Sequence, residues 1–286
     1  MSARGARPPV VLALAGHDPT GGAGVDADAE AIRAAGAESV CVVTNRTEQD
    51  GRRVFGVAPV ALEQWCAEAR AAFDAHAPAA LKTGLVSSAE QVDVIADLVL
   101  EQRARRPELV VVVDPVLAAS GGEVFLDAAG RARLVARLAD LRAVLTPNVP
   151  ELAALSGADE GALAADPRAR VDAARGLLAR GAAAVVVKGG HGREDPVVDL
   201  WVADAAVERC ERRRLVGRGI HGSGCRFASH LAARLALGEG AAAALATSGA
   251  FLAARIAAAP SCAGAATEPR PDRRGAGSRE SRRGGA

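Results

Sequence analysis

The sharpest chemical signal in the 286-residue chain is the run Gly219-Ile220-His221-Gly222-Ser223-Gly224-Cys225, which opens a stretch of helical periodicity reaching Leu237. Small residues at a helix start let successive backbone N–H groups converge on an anion, and the helix dipole adds positive potential there. Gly222, Ser223, Gly224 and Cys225 would form such an anion hole. A thiol at a helix N-terminus is expected to titrate below its usual value of about 8.5, which would equip Cys225 as a base or nucleophile. The plainer reading of the same residues is a glycine cap beside a buried cysteine.

Three further clusters have matching chemistry. Asp18-Pro19-Thr20-Gly21-Gly22-Ala23-Gly24 lets backbone approach a ligand closely and leads into a helix bearing Asp26 and Asp28, where a carboxylate can accept a hydrogen bond from a hydroxyl or amino group. Thr146-Pro147-Asn148-Val149-Pro150-Glu151 sets an amide oxygen and a carboxylate three residues apart at a helix start, a spacing suited to a water-rich Mg2+ shell, with Asp114 on a neighbouring strand able to join them. Each has a plainer role as cap, first-turn charge or turn residue. Lys188, followed by Gly189 and Gly190, can meet a polyphosphate as a compact point charge; it and Lys82 are the only lysines among 35 basic residues. The chain has no Gly-Lys pair and so no Walker A loop, and no G-x-G-x-x-G follows the first strand. His221 breaks the G-x-S-x-G frame of a serine hydrolase.

These residues need a scaffold, and the hydrophobic pattern predicts one. Val10 to Ala15, Ser39 to Thr44, Leu109 to Val113, Ala143 to Thr146 and Ala183 to Val187 are continuous Val/Leu-rich runs, the pattern of strands buried on both faces. Between them, Asp26 to Ala35, Ala61 to His76, Ala89 to Arg105, Ala128 to Leu138 and Val171 to Arg180 carry apolar residues at helical spacing. Alternation of this kind predicts an α/β fold with a mostly parallel sheet. Val198 to Val202 and Ala206 to Leu215 read as an edge hairpin, and Cys225 to Leu237 and Ala241 to Ala258 as a closing helix pair. The predicted strands end at Gly16-His17-Asp18, Asp114-Pro115, Thr146-Pro147-Asn148 and Lys188-Gly189-Gly190-His191, so the carboxyl edge of the sheet gathers the polar residues where open α/β sheets bind ligands.

Composition narrows the class. Half the residues are hydrophobic and 24% charged, which excludes wholesale disorder. A net charge of +1 gives no strong field towards nucleic acid or an acidic membrane, and 2% aromatics without tyrosine leaves no base-stacking platform. No segment approaches the roughly 20 apolar residues of a membrane span. Five cysteines, an odd number without C-x-x-C spacing, point to a reducing cytoplasm. The apolar run after Arg7 is about six residues, short for a leader, and reads as the first strand. One domain is expected over residues 1–259, with a disordered Gly/Arg-rich tail over 260–286.

In order and spacing, A-G-H-D-P-T-G-G-A-G at 15–24, D-P-V at 114, T-P-N-V-P-E at 146, K-G-G-H at 188 and H-G-S-G-C at 221 resemble the hydroxymethylpyrimidine/phosphomethylpyrimidine kinases of thiamine biosynthesis, within the ribokinase-like superfamily. The resemblance covers about residues 9–258. It implies a three-layer α/β/α ribokinase-like fold, two successive ATP-dependent phosphorylations of 4-amino-5-hydroxymethyl-2-methylpyrimidine, Mg2+ as cofactor, and a homodimer. Carried over by motif, Cys225 is the base for the substrate hydroxyl, with Gly222, Ser223 and Gly224 completing the anion hole. Asp28 and Gln49 hold the pyrimidine beside Gly16. Lys188, Thr146 and Asn148 meet the nucleotide, and Asp114, Asn148 and Glu151 organise the metal.

The chain departs from the family pattern at three motif positions, and the Gly/Arg tail stands in place of the usual C-terminal segment. Where T-A-L-T-x-Q is usual it has Thr44-Asn45-Arg46-Thr47-Glu48-Gln49, which brings two charges near the pyrimidine site. Ala118-Ala119 follow D-P-V-x, and Arg226 stands for the usual threonine after the cysteine. Two alternatives stay open: a pyridoxal or pyridoxine kinase on the same scaffold, because that substrate also carries a ring-borne hydroxymethyl group, and, given the changes from Asn45 to Glu48, a non-catalytic pyrimidine-binding regulator.

Overall fold

The computed structural model describes residues 7–119, 121–216 and 219–259. Among the described residues nine strands build one sheet: β1 (Val10–His17), β2 (Glu38–Gln49), β3 (Val54–Pro59), β4 (Ala80–Thr83), β5 (Val110–Val113), β6 (Val144–Leu145), β7 (Ala184–Val187), β8 (Val197–Ala203) and β9 (Ala206–Arg212). Their spatial order is β3-β2-β1-β4-β5-β6-β7-β8-β9. The six strands from β2 to β7 in that order pair in parallel, while β3, β8 and β9 are antiparallel additions at the two edges. A sheet of this kind must be covered on both faces, because its central strands are apolar on both sides.

The cover on one face is α2 (Leu62–His76), α3 (Ala89–Arg105), α4 (Ala128–Ala136), α5 (Leu138–Leu141), α6 (Val149–Ser156), α7 (Glu160–Ala165) and α8 (Pro167–Leu178). They bury Trp65, Phe73, Leu98 and Leu152 against Leu12, Leu14 and Leu81 of the sheet. The other face is closed by α1 (Gly24–Ala34), α9 (Ser223–Ala236) and α10 (Ala241–Ala258), whose Ile32, Phe227, Leu231 and Leu245 meet Val11, Ala13 and Val186. Alternate residues of β1 therefore serve opposite cores, and the layers are α/β/α as the alternation predicts.

Several expectations are corrected. The stretch predicted as one helix from Ala128 to Leu138 is two helices, broken at Arg137. β3 went unpredicted; it pairs with the outer end of β2, which runs five residues beyond the predicted Thr44. By length and composition α10 is apolar enough to cross a membrane, with 18 residues of mean hydropathy 1.5. It instead packs Ala244, Leu245 and Leu252 on α9, β8 and β9, as the helix closing its layer. The tail predicted over 260–286 lies outside the described residues.

Candidate active site

At the carboxyl edge of the parallel strands lies a cleft of about 340 Å3. Its walls include Gly16, Gln49, Asp114, Asn148, Glu151, Lys188 and Gly222 to Cys225. Residues from five separate predicted motifs thus face one space.

One wall is the start of α9. Its N-cap, Gly222, has φ +72° and no side chain caps the helix, so the first-turn N–H groups face the cleft without a built-in acceptor. Only glycine suits Gly222: besides the left-handed backbone, a Cβ there would meet Gly22 O at 2.4 Å. A methyl group on Gly224 would lie 3.1 Å from Lys188 Nζ. The lysine ammonium therefore sits against the helix N-terminus, and both offer positive potential to the same anion.

Lys188 is not a free point charge. Its Nζ donates to Asp114 Oδ1 at 2.8 Å and lies 3.7 Å from Glu151 Oε2. Burial alone would depress the lysine, but Asp114 and Glu151 carry it above its usual value. Burial works the other way on Asp114, yet Lys188 and Lys82 hold that carboxyl below the ordinary range. Glu151 is raised to about 7 by burial, with Lys188 opposing.

Asn148 and Glu151 form a reciprocal capping box at the start of α6: Glu151 N donates to Asn148 Oδ1 at 2.9 Å and Asn148 N to Glu151 Oε2 at 2.7 Å. Asn148 lines the cleft, but its side-chain oxygen already serves this cap, which narrows the expected metal set to Asp114 and Glu151. Mg2+ is commonly held by one or two carboxylates, with waters and substrate phosphates completing its shell, and these two residues fit that demand. No group of three or more His, Cys, Asp or Glu among the described residues makes an all-protein cage. Thr146 does not line the cleft; it is fully buried and donates to Asp114 Oδ1 at 3.1 Å, which corrects its placement as a nucleotide contact to one holding Asp114.

Glu151 gives a first testable consequence. A carboxyl raised from 4.5 to about 7 on folding contributes stability fully present below about pH 4.5 and lost as pH rises through 7. Glu151→Gln keeps the cap's acceptor and removes the titration. Melting curves between pH 5 and 8 are expected to show the wild type losing on the order of 1–3 kcal/mol more than the variant; parallel curves would refute this.

Cys225 lines the cleft. The expected lowering of the thiol is overturned: burial pushes it up to about 11, against the pull of Lys82. Below it Lys82 Nζ donates to Asp28 Oδ1 at 2.7 Å, both side chains fully buried, and Ser229 Oγ donates to the same oxygen at 2.8 Å. Asp28, predicted to hold the pyrimidine, is thus not in the cleft wall but beneath it as the counter-ion of Lys82.

At the other end, Gln49 Nε2 donates to Thr47 Oγ1, which donates to His17 O. Arg46 and Glu48 are exposed and absent from the cleft wall, because the two-residue period of β2 turns them away from Thr47 and Gln49. The two charges of the altered motif leave the site untouched. Asn45 is buried instead, bound to Leu85 O and Gln91.

Three contributors escaped the sequence reading. His221 Nε2 lies 2.9 Å from Asp18 Oδ2, a contact across 203 residues. Arg214 donates to the carbonyls of Gly190, Gly192 and Glu194, fixing the loop after Lys188. Val197, Ile220, Leu252 and Ile256 add apolar surface to the cleft wall. His221 and Asp18 were visible as motif members, but only the fold shows that they meet.

Comparison with known proteins adds independent information. The family model described as phosphomethylpyrimidine kinase matches residues 18–269. The hydroxymethylpyrimidine/phosphomethylpyrimidine kinase of Rhizobium meliloti is 35% identical over 250 residues, 87% of this chain and 91% of that one. The thiamine biosynthesis bifunctional protein ThiED of Geobacter sulfurreducens is 37% identical over 229 residues, and the match spans 80% of this chain but only 45% of that longer protein. Among solved structures, pyridoxal kinase from Staphylococcus aureus in complex with ADP superposes with a TM-score of 0.76 at 25% identity, covering 88% of this chain and 89% of that one.

Proposed function

The chain belongs to the phosphomethylpyrimidine kinase family, and on that premise we propose that it transfers the γ-phosphoryl group of ATP to 4-amino-5-hydroxymethyl-2-methylpyrimidine and then to the resulting monophosphate, for thiamine biosynthesis. The observation that carries this reading is the convergence on one cleft of the uncapped α9 N-terminus, Lys188 and Asp114, with Cys225 in the first turn of that helix. Phosphoryl transfer needs positioning and charge neutralisation more than covalent chemistry.

In this assignment the substrate hydroxyl oxygen attacks the γ-phosphorus, the bond to the β,γ-bridging oxygen breaks, and ADP leaves. Cys225, in its thiolate form, accepts the hydroxyl proton. The N–H groups of Ser223 and Gly224, with Lys188, meet the negative charge on the transferring phosphoryl. Mg2+ held by Asp114 and Glu151 would add further charge neutralisation there. Gln49 faces the pyrimidine beside Gly16, and the apolar surface of Leu252 and Ile256 suits the nucleotide base. The protein works in the cytoplasm as a homodimer; its cysteine pattern supports the reducing compartment, and the family resemblance the dimer.

Pyridoxal kinase is the second reading, because a solved pyridoxal kinase shares the fold. A non-catalytic regulator is disfavoured, since the charges that prompted it point away from the cleft and Lys188, Asp114 and Cys225 all remain in it. The test is a coupled ADP-release assay with Mg-ATP and the hydroxymethylpyrimidine, its monophosphate or pyridoxal. Turnover of both pyrimidines with kcat/KM at least about tenfold above that for pyridoxal is expected, a preference of about 1.4 kcal/mol. Turnover of pyridoxal alone, or of none, overturns the assignment.

A further inference from the structure

Two glycine-rich segments form adjoining walls of the cleft: the loop 18–24, which runs from β1 into the start of α1, and the loop 219–225, which runs into the first turn of α9. They are some 200 residues apart in sequence and meet backbone to backbone. A Cβ on Gly22 would lie 2.6 Å from His221 Cδ2, and one on Gly222 would lie 2.4 Å from Gly22 O. The approach requires glycine at Gly222, where the backbone of the other loop stands in the way, and at Gly22 the absence of a side chain leaves room for the His221 ring.

Arg226, one residue past the cysteine, spans the junction. Its Nη1 donates to Gly22 O at 2.6 Å and to His221 O at 2.8 Å, one carbonyl from each loop. Its Nε and Nη2 reach Glu30 Oε2 on α1 at 3.0 and 2.9 Å, and Arg255 of α10 pairs with the other oxygen of Glu30. The residue is 9% exposed. The planar fork of a guanidinium holds several acceptors in fixed directions. Threonine, which the family resemblance implies at this position, ends at its Oγ1 and is too short to span both carbonyls.

We propose that Arg226 is a positioning residue for phosphoryl transfer, clamping the loop 18–24 to the loop 219–225 so that the substrate end of the cleft and the anion hole stand in register before either ligand arrives. Arg226 is not in the cleft wall and touches no reacting atom. It acts through Gly22 and His221, and through them on Gly222 and on Asp18, which His221 contacts. The catalytic part of this role rests on the kinase reading above; the clamp itself does not.

The test has two arms, both on the full chain. In the first, amide hydrogen exchange is followed on unliganded protein. Arg226→Ala is expected to exchange at least about tenfold faster in peptides covering 18–24 and 219–225 together, with the later turns of α9 unchanged. Arg226→Lys, able to hold one carbonyl, falls between. In the second arm, the KM for the pyrimidine rises about tenfold in Arg226→Ala, while kcat per folded enzyme falls less than about threefold, and Arg226→Lys recovers part of the KM. A purely structural role would lower the active fraction and leave KM alone. Unchanged exchange in either loop overturns the clamp, and faster exchange with KM within about twofold of wild type overturns the positioning role. Should the wild type phosphorylate no pyrimidine, the kinase reading falls and the exchange arm alone decides the clamp.

Discussion

Cys225→Ala is expected to lower kcat/KM for the hydroxymethylpyrimidine by about 10²–10⁴-fold, the usual contribution of a positioned general base. Its pH dependence should identify the group. A helix N-terminus contributes about 0.3–1 kcal/mol, less than one pKa unit, whereas burial in this cleft carries the thiol from 9.0 to about 11. Burial wins, so at pH 7 the free enzyme holds roughly one thiolate in 10⁴. The rate of a reaction that needs the thiolate then climbs about tenfold per pH unit from about 7 towards 10, in kcat/KM, which reports the free enzyme's groups. Cys225→Ala should be flat across that range, with melting temperature close to wild type. A wild-type profile level above pH 7, together with a Cys225→Ala rate within about threefold, would falsify the base assignment.

The same cysteine illustrates how far the residues alone could be read. Strand ends were legible because apolar runs and their polar stops sit side by side in sequence, so the gathering of Gly16, Asp114, Asn148, Lys188 and Gly222 to Cys225 on one cleft follows from the alternation of strands and helices. Density around a group is not a local property, and it reversed the direction of the Cys225 shift. Asp28 was misplaced although its burial was legible: it stands on the apolar stripe of α1 with Val25, Ala29 and Ile32, whereas Asp26 is exposed. Lys82 is likewise the one charge in the fully buried β4. Two charges in apolar surroundings must pair to avoid an uncompensated buried ion, and that requirement could have joined them before the fold was known. Period-2 alternation in β2 could similarly have turned Arg46 and Glu48 outward. The His221–Asp18 contact and the reach of Arg226 depend instead on where α9 docks on the sheet, and no local pattern encodes that.

Lys188→Met should lower kcat/KM for ATP by about 10²–10³-fold, as loss of one preorganised donor to the transition-state charge typically does. Methionine keeps most of the stem but removes the ammonium that sits against Gly224 and bridges towards Asp114 and Glu151. Two effects then follow from one change. The phosphoryl loses its nearest cation, and Asp114, fully buried, loses a partner that keeps its carboxyl below the ordinary range, so its pKa rises. The variant's melting temperature should accordingly fall more at pH 8 than at pH 5, because the unpaired carboxylates are costly only when ionised. Lys188→Arg separates charge from fit. Lys188 Nζ lies close enough to Gly224 that a methyl group added there would sit 3.1 Å from it, so the larger guanidinium would crowd the helix start, and arginine should restore the stability at pH 8 in part and the ATP kinetics hardly at all. Arginine recovering kcat/KM to within about fivefold would show that charge alone suffices. Methionine retaining it to the same degree would leave the anion hole as the phosphate's sole support, with Lys188 serving only as the counter-ion of Asp114.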